Sequence, residues 1–113
     1  GDYNFCMKRG ALDVEDLGKV CENQYDKYMG VEKLMPYAKG VSAKSHHFNE
    51  KGEETSTDFS RMLKIILNSN YKGYLTIEYE GAMASMYGSE KNDYLSPNDG
   101  VKATQNLLNK YIG

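Results

Sequence analysis

Two carboxylates close the run Tyr74-Leu75-Thr76-Ile77-Glu78-Tyr79-Glu80. The run is rich in β-branched and aromatic residues and alternates strictly, which predicts a strand with Leu75, Ile77 and Tyr79 on one face and Thr76, Glu78 and Glu80 on the other. Glu78 and Glu80 then project from the same side at the strand's carboxyl end. Carboxylates in that arrangement bind a divalent cation or move protons. Equally, two glutamates on an edge strand keep a solvated face soluble and block edge pairing, and the pattern alone leaves both readings open. A second group stands in Val41-Ser42-Ala43-Lys44-Ser45-His46, where Ser42, Lys44 and His46 share a face. Lys44 is suited to pair with a carboxylate or a substrate phosphate, or simply to be solvated. His46 is a candidate ligand by itself, because its neighbour His47 points the other way on a strand and the two make no chelating pair. The eleven glycines contain neither GxGxxG nor GxxxxGK[ST], so nucleotide-binding loops are unsupported. The six methionines read as core filler.

The elements that position these groups alternate. Tyr28, Val31, Leu34, Met35 and Ala38 recur at helical spacing over Asp26 to Ala38, until Pro36 and Gly40 end the helix. The Val41–His46 strand follows, then a polar loop from Asn49 to Glu54. Thr55, Ser56 and Thr57 offer capping hydroxyls just ahead of Asp58. Phe59, Met62, Leu63, Ile66 and Leu67 form one apolar stripe, which predicts a helix running to the stop at Asn68-Ser69-Asn70. After the Glu-bearing strand, the stretch from Gly81 to Leu95 is a long loop, with Met83, Met86 and Tyr87 spaced for one helical turn. Ser96-Pro97-Asn98-Asp99 supplies an N-cap, a proline at N1 and an acid at N3, opening a last helix with Val101, Thr104, Leu107, Leu108, Tyr111 and Ile112. Strands separated by helices predict βα units and a parallel sheet, since a crossover helix carries one parallel strand to the next. Two parallel strands cannot bury both faces by themselves, so more sheet is expected than these residues supply.

The 113 residues suit one domain over 1–113, and fall well short of the roughly 250 of a closed eight-fold barrel. With 40% hydrophobic and 27% charged residues, a folded soluble core is expected rather than disorder. Fourteen basic against sixteen acidic side chains give a net charge of -2, so nothing gathers nucleic-acid phosphates or an anionic membrane surface. Cys6 and Cys21 form no CxxC and read as free thiols of a cytoplasmic protein. No apolar run approaches the roughly 18 residues of a membrane span, and the first residues lack the apolar stretch of a signal peptide.

Two stretches carry a family likeness: Gly30-Val31-Glu32-Lys33-Leu34-Met35-Pro36-Tyr37-Ala38-Lys39-Gly40-Val41-Ser42-Ala43-Lys44-Ser45 and Gly73-Tyr74-Leu75-Thr76-Ile77-Glu78-Tyr79-Glu80-Gly81. Together they resemble the sugar phosphate isomerase/epimerase group of xylose-isomerase-like (β/α) barrels, which is also similar to endonuclease-IV-type barrels. The resemblance covers about residues 1 to 81, and the final helix fits as the last helix of such a barrel. It implies a partial (β/α)8 TIM barrel of about three carboxyl-terminal βα units, with Thr76, Glu78 and Glu80 facing the lumen. It also implies a divalent metal (Mn, Mg, Co or Zn) held by carboxylates and a histidine, polarising a sugar carbonyl while acidic groups move a proton between neighbouring carbons.

Residue by residue, the resemblance gives Glu78 as the last-strand metal glutamate. With the strand faces, Glu78 and Lys44 are the catalytic candidates, and Glu80, His46 and Ser42 are the candidate substrate-binding groups. Asp2, in Asp2-Tyr3-Asn4-Phe5, matches a metal aspartate when one gap is allowed. Ser42 stands where many members have a metal histidine, a departure from the usual ligand set. The expectation is a metal-dependent sugar or sugar phosphate isomerase/epimerase piece, inactive by itself, pairing with another copy or with a missing barrel half. A non-catalytic carbohydrate-binding or structural half-barrel without metal is the alternative, and DNA repair nuclease activity is disfavoured by the charge.

Overall fold

The computed structural model describes residues 26–81 and 93–113. Asp2, Cys6, Cys21 and the helical turn expected around Met83, Met86 and Tyr87 lie outside the described residues.

α1 spans Lys27–Leu34 and is opened by Asp26, whose carboxylate accepts from the backbone N–H groups of Tyr28 (2.9 Å) and Met29 (3.1 Å). Pro36 has no N–H to continue the ladder, and the chain tightens into a 3-10 turn over Met35–Tyr37. The single helix expected to Ala38 is therefore two pieces.

β1 follows at Val41–Ser45 and α2 at Phe59–Asn68. The cap of α2 is Asp58, accepting from Arg61 N–H at 3.0 Å, rather than one of the three preceding hydroxyl residues. Those hydroxyls are already engaged elsewhere: Thr55 Oγ1 with His47, Ser56 Oγ with Glu54 and Thr57 Oγ1 with Lys27. Phe59, Leu63 and Ile66 of the predicted stripe are buried, whereas Leu67 is half exposed. Asn70 then turns the chain with φ of 61°, a left-handed conformation that asparagine tolerates better than most residues.

β2 (Leu75–Tyr79) lies parallel to β1 in the register Val41↔Leu75 through Ser45↔Tyr79. The final helix, α3, occupies Pro97–Ile112 and is capped as its sequence predicts, with Ser96 Oγ accepting from Asp99 N–H. The described architecture is thus α/β: a two-stranded parallel sheet and three helices, arranged as two βα units after a leading helix.

The core joins Val31 and Met35 to Ala43, to Phe59, Leu63 and Ile66 of α2, and to Leu107 and Leu108 of α3. Val41, Leu75 and Ile77 pack against it, so the apolar strand face meets the helices as the alternation implied. Ser45 and Thr104 meet inside this core, both fully buried, with their hydroxyl oxygens 2.6 Å apart. Thr104 Oγ1 donates its proton to the Gly100 carbonyl, so Ser45 must donate to Thr104, and this chain ties α3 to β1. Tyr79 lies flat on Gly100, where any Cβ would sit 2.2 Å from a ring carbon, and its hydroxyl donates to the Leu95 carbonyl at 2.9 Å. Burial there pushes the phenol pKa up.

Candidate functional site at the strand ends

The parallel register sets Lys44 beside Glu78 and Ser42 beside Thr76, all on the face opposite the core-packed residues. Ser42 Oγ donates to Glu78 Oε2 at 2.6 Å. The Lys44 ammonium lies 3.3 Å from Glu78 Oε1 and 3.1 Å from Glu80 Oε1, bridging both carboxylates. Its side chain is only 15% exposed against 40% for Glu78 and 30% for Glu80, so the cation sits beneath and the acids face outward. The Ser42 hydrogen bond is the main reason that the Glu78 carboxyl is held below its usual range; Lys44 adds to the effect, and partial burial opposes it. Glu78 is accordingly ionised at neutral pH. One lysine against two glutamates leaves the group an excess of acceptor oxygens, suited to sugar hydroxyls, to a proton in transfer or to a cation.

Gly81 keeps the two strand ends together. The Glu80 N–H donates to the Ser45 carbonyl at 2.9 Å, extending the ladder one step past β2. A Cβ on Gly81 would lie 2.2 Å from the His46 carbonyl oxygen, a backbone atom that cannot swing aside. Gly81→Ala is expected to force the ends apart at a cost of about 1–3 kcal/mol, the usual range for overpacking. Urea unfolding measures that loss, and the Lys44 and Glu80 side-chain resonances should shift in the same variant. Full stability with unmoved resonances would show that the ends are not held by this contact.

The two histidines diverge, as adjacent residues should. His46 lines a cavity of about 140 Å³ along β1, whose apolar side includes Met35, Phe59 and Leu63 and whose edge includes Ser42 and Lys44. That is under half the roughly 300 Å³ at which small-molecule pockets begin, so it is not a complete substrate site. His47 turns away to Asp93, with Nε2 2.9 Å from a carboxylate oxygen, while Nδ1 lies 3.1 Å from Thr55 Oγ1. The ionised carboxylate only accepts, so Nε2 donates to Asp93. The histidine thereby joins the β1–α2 loop to the chain entering α3.

The sequence places Glu54 only within a polar loop, yet it is buried and organises the carboxyl end of β1. Its carboxylate accepts from Ser56 N–H (2.8 Å), Thr57 N–H (2.5 Å), Ser56 Oγ (2.6 Å) and, at longer range, the N–H groups of His46 (3.3 Å) and His47 (3.4 Å). The legible signal was an acid followed two and three positions later by residues whose N–H groups can fold back onto it, as in an Asx-type turn. Beside it, Glu53 accepts from the Tyr111 hydroxyl at 2.9 Å and pairs with Lys110, fastening the loop to the end of α3. The hydrogen bonds to Lys110 and then Tyr111 pull the Glu53 carboxyl below its usual range.

Among the described residues, no three histidine, cysteine, aspartate or glutamate side chains converge to hold a metal. The donors brought together are Glu78 and Glu80, already bridged by the one Lys44 ammonium; two carboxylates fall short of the ligand shell that a divalent ion takes. The described residues do not by themselves fit the implied metal. Among them, too, no helix is long and apolar enough to cross a membrane.

Comparison with known proteins adds one likeness. Over 80 residues the chain is 32% identical to the C-glycoside deglycosidase alpha subunit of Arthrobacter globiformis. Those residues are 70% of this chain and 21% of that subunit, so the chain spans about a fifth of its relative's length. No family model matches.

Proposed function

We propose that the chain is a carboxyl-terminal piece of a sugar isomerase/epimerase-type (β/α) barrel that acts on a sugar or sugar derivative, and that it is inactive in isolation. The observation that carries this reading is the Lys44–Glu78–Glu80 group at the carboxyl ends of two parallel strands, joined by Ser42 from nearer the start of β1, on the face away from the core; barrel enzymes build their sites at such ends. A relative named for acting on C-glycosides supports the same substrate class.

In this reading Glu78, kept ionised by Ser42 and Lys44, is the proton acceptor at a sugar carbon. Lys44 stabilises negative charge as it develops on the neighbouring oxygen, and Glu80 accepts from sugar hydroxyls while holding Lys44 in place. A divalent metal would take Glu78 as a ligand only with donors beyond the described residues, and no step here depends on one. The relative is named as a subunit, and β1 and β2 have no further strand partner among the described residues. Pairing with a second copy or a complementary chain belongs to the same proposal.

The test is a titration of the full chain with aldoses and ketoses at tens of millimolar, followed by NMR. Resonances of Ser42, Lys44, Glu78 and Glu80 should move together, without turnover, and Glu78→Gln should abolish the response. Sugar-independent spectra at these four positions would sink the proposal.

A further inference from the structure

We infer that Ser42 is a positioning residue: through its hydroxyl it fixes the Glu78 carboxylate in one orientation. The inference rests on the reading of Glu78 as the working carboxylate, but its test does not.

Ser42 lies two residues before Lys44 on the same strand face, and the register brings both within reach of one side chain on β2. Ser42 takes Oε2 at 2.6 Å and Lys44 takes Oε1 at 3.3 Å, so among the described residues each oxygen has one partner and both partners come from β1. A carboxylate offers about four lone-pair sites, so two are left over among the described residues. A glutamate has three rotatable bonds, and at 40% exposure packing alone would not choose among its rotamers. Two anchors on different oxygens do. Ser42 has one hydroxyl proton and spends it on Glu78, so it acts on any bound molecule mainly through that carboxylate.

Replacing the hydroxyl separates this role from mere filling of space. In Ser42→Ala, NMR of the full chain should show the Glu78 side-chain couplings averaged over rotamers. Ser42→Thr keeps a hydroxyl on the same carbon and should restore the single rotamer. Among the described residues the charged neighbours are Lys44 of β1, which touches Glu78, and Glu80, which shares Lys44; both are unchanged in either variant.

Unaveraged Glu78 couplings in Ser42→Ala, or a threonine variant that behaves like alanine, would overturn the inference. Failure of sugars to perturb the site, with the couplings averaged in the alanine variant as expected, would instead remove the proposed function and leave the clamp standing.

Discussion

Truncating Leu107 to alanine is expected to cost about 2–5 kcal/mol, a large share of the roughly 5–15 kcal/mol that holds a domain together. Leu107 is 2% exposed and lies in the cluster shared by α2, α3 and the strands. Removing three carbons from it leaves a void that neighbours can fill only by shifting a helix. The freedom to shift is small: Thr104, one turn earlier on α3, is tied through Ser45 to β1, and Gly100 is pressed against Tyr79. The cavity should therefore persist, placing the loss toward the upper part of the range. Urea unfolding measures it, with Val101→Ala as the control. Val101 is on the same helix but 44% exposed, and its truncation should stay within about 0.5 kcal/mol. Similar losses at both positions would mean that α3 is not packed through Leu107.

The periodic parts of this architecture were legible because they answer to local rules. The stripe of α2, the alternation of β2 and the Ser96-Pro97-Asn98-Asp99 opening of α3 each concern residues within one or two turns of one another, and each is present. The faces of both strands were legible for the same reason, including the side on which Glu78 and Lys44 lie. Their contact was not. It depends on the register of two strands more than thirty residues apart in sequence, which alternation leaves free. Pairing of Lys44 with a carboxylate was one of three options, and the structure selects it, with two partners instead of one.

α1 shows the opposite failure. Its apolar spacing predicted a longer helix, but Val31 is the one buried residue of Lys27–Leu34, and Leu34 stays half exposed. Tyr28 is used for its polar end and its ring: its hydroxyl accepts from Asp58 N–H at 2.9 Å, and the Arg61 guanidinium stands 4.0 Å from the ring centre. Helical periodicity treats such a tyrosine as apolar surface, while the fold uses it to brace the start of α2.

Glu54 gives the second large effect, and one that chemical similarity does not soften. Glu54→Ala strips the acceptor from four backbone N–H groups and the Ser56 hydroxyl at once. An unmet buried donor costs about 1–3 kcal/mol. Ser56 is exposed, so water takes over part of its need, whereas the N–H groups of the half-buried His46, His47 and Thr57 are harder to reach. A total of about 3 kcal/mol is the expected loss. Glu54→Gln should recover little of it. Each carboxylate oxygen faces more than one donor, and whichever is replaced by an amide NH2 sets N–H against N–H. Hydrogen exchange should quicken at His46, His47, Ser56 and Thr57 before it does in α3. Since His47 leaves the same loop to meet Asp93, that contact should weaken too, detectable as a change in the His47 ring resonances. A glutamine variant as stable as the parent would mean that these donors find other acceptors, and that the carboxyl end of β1 holds its shape without a charge at its centre.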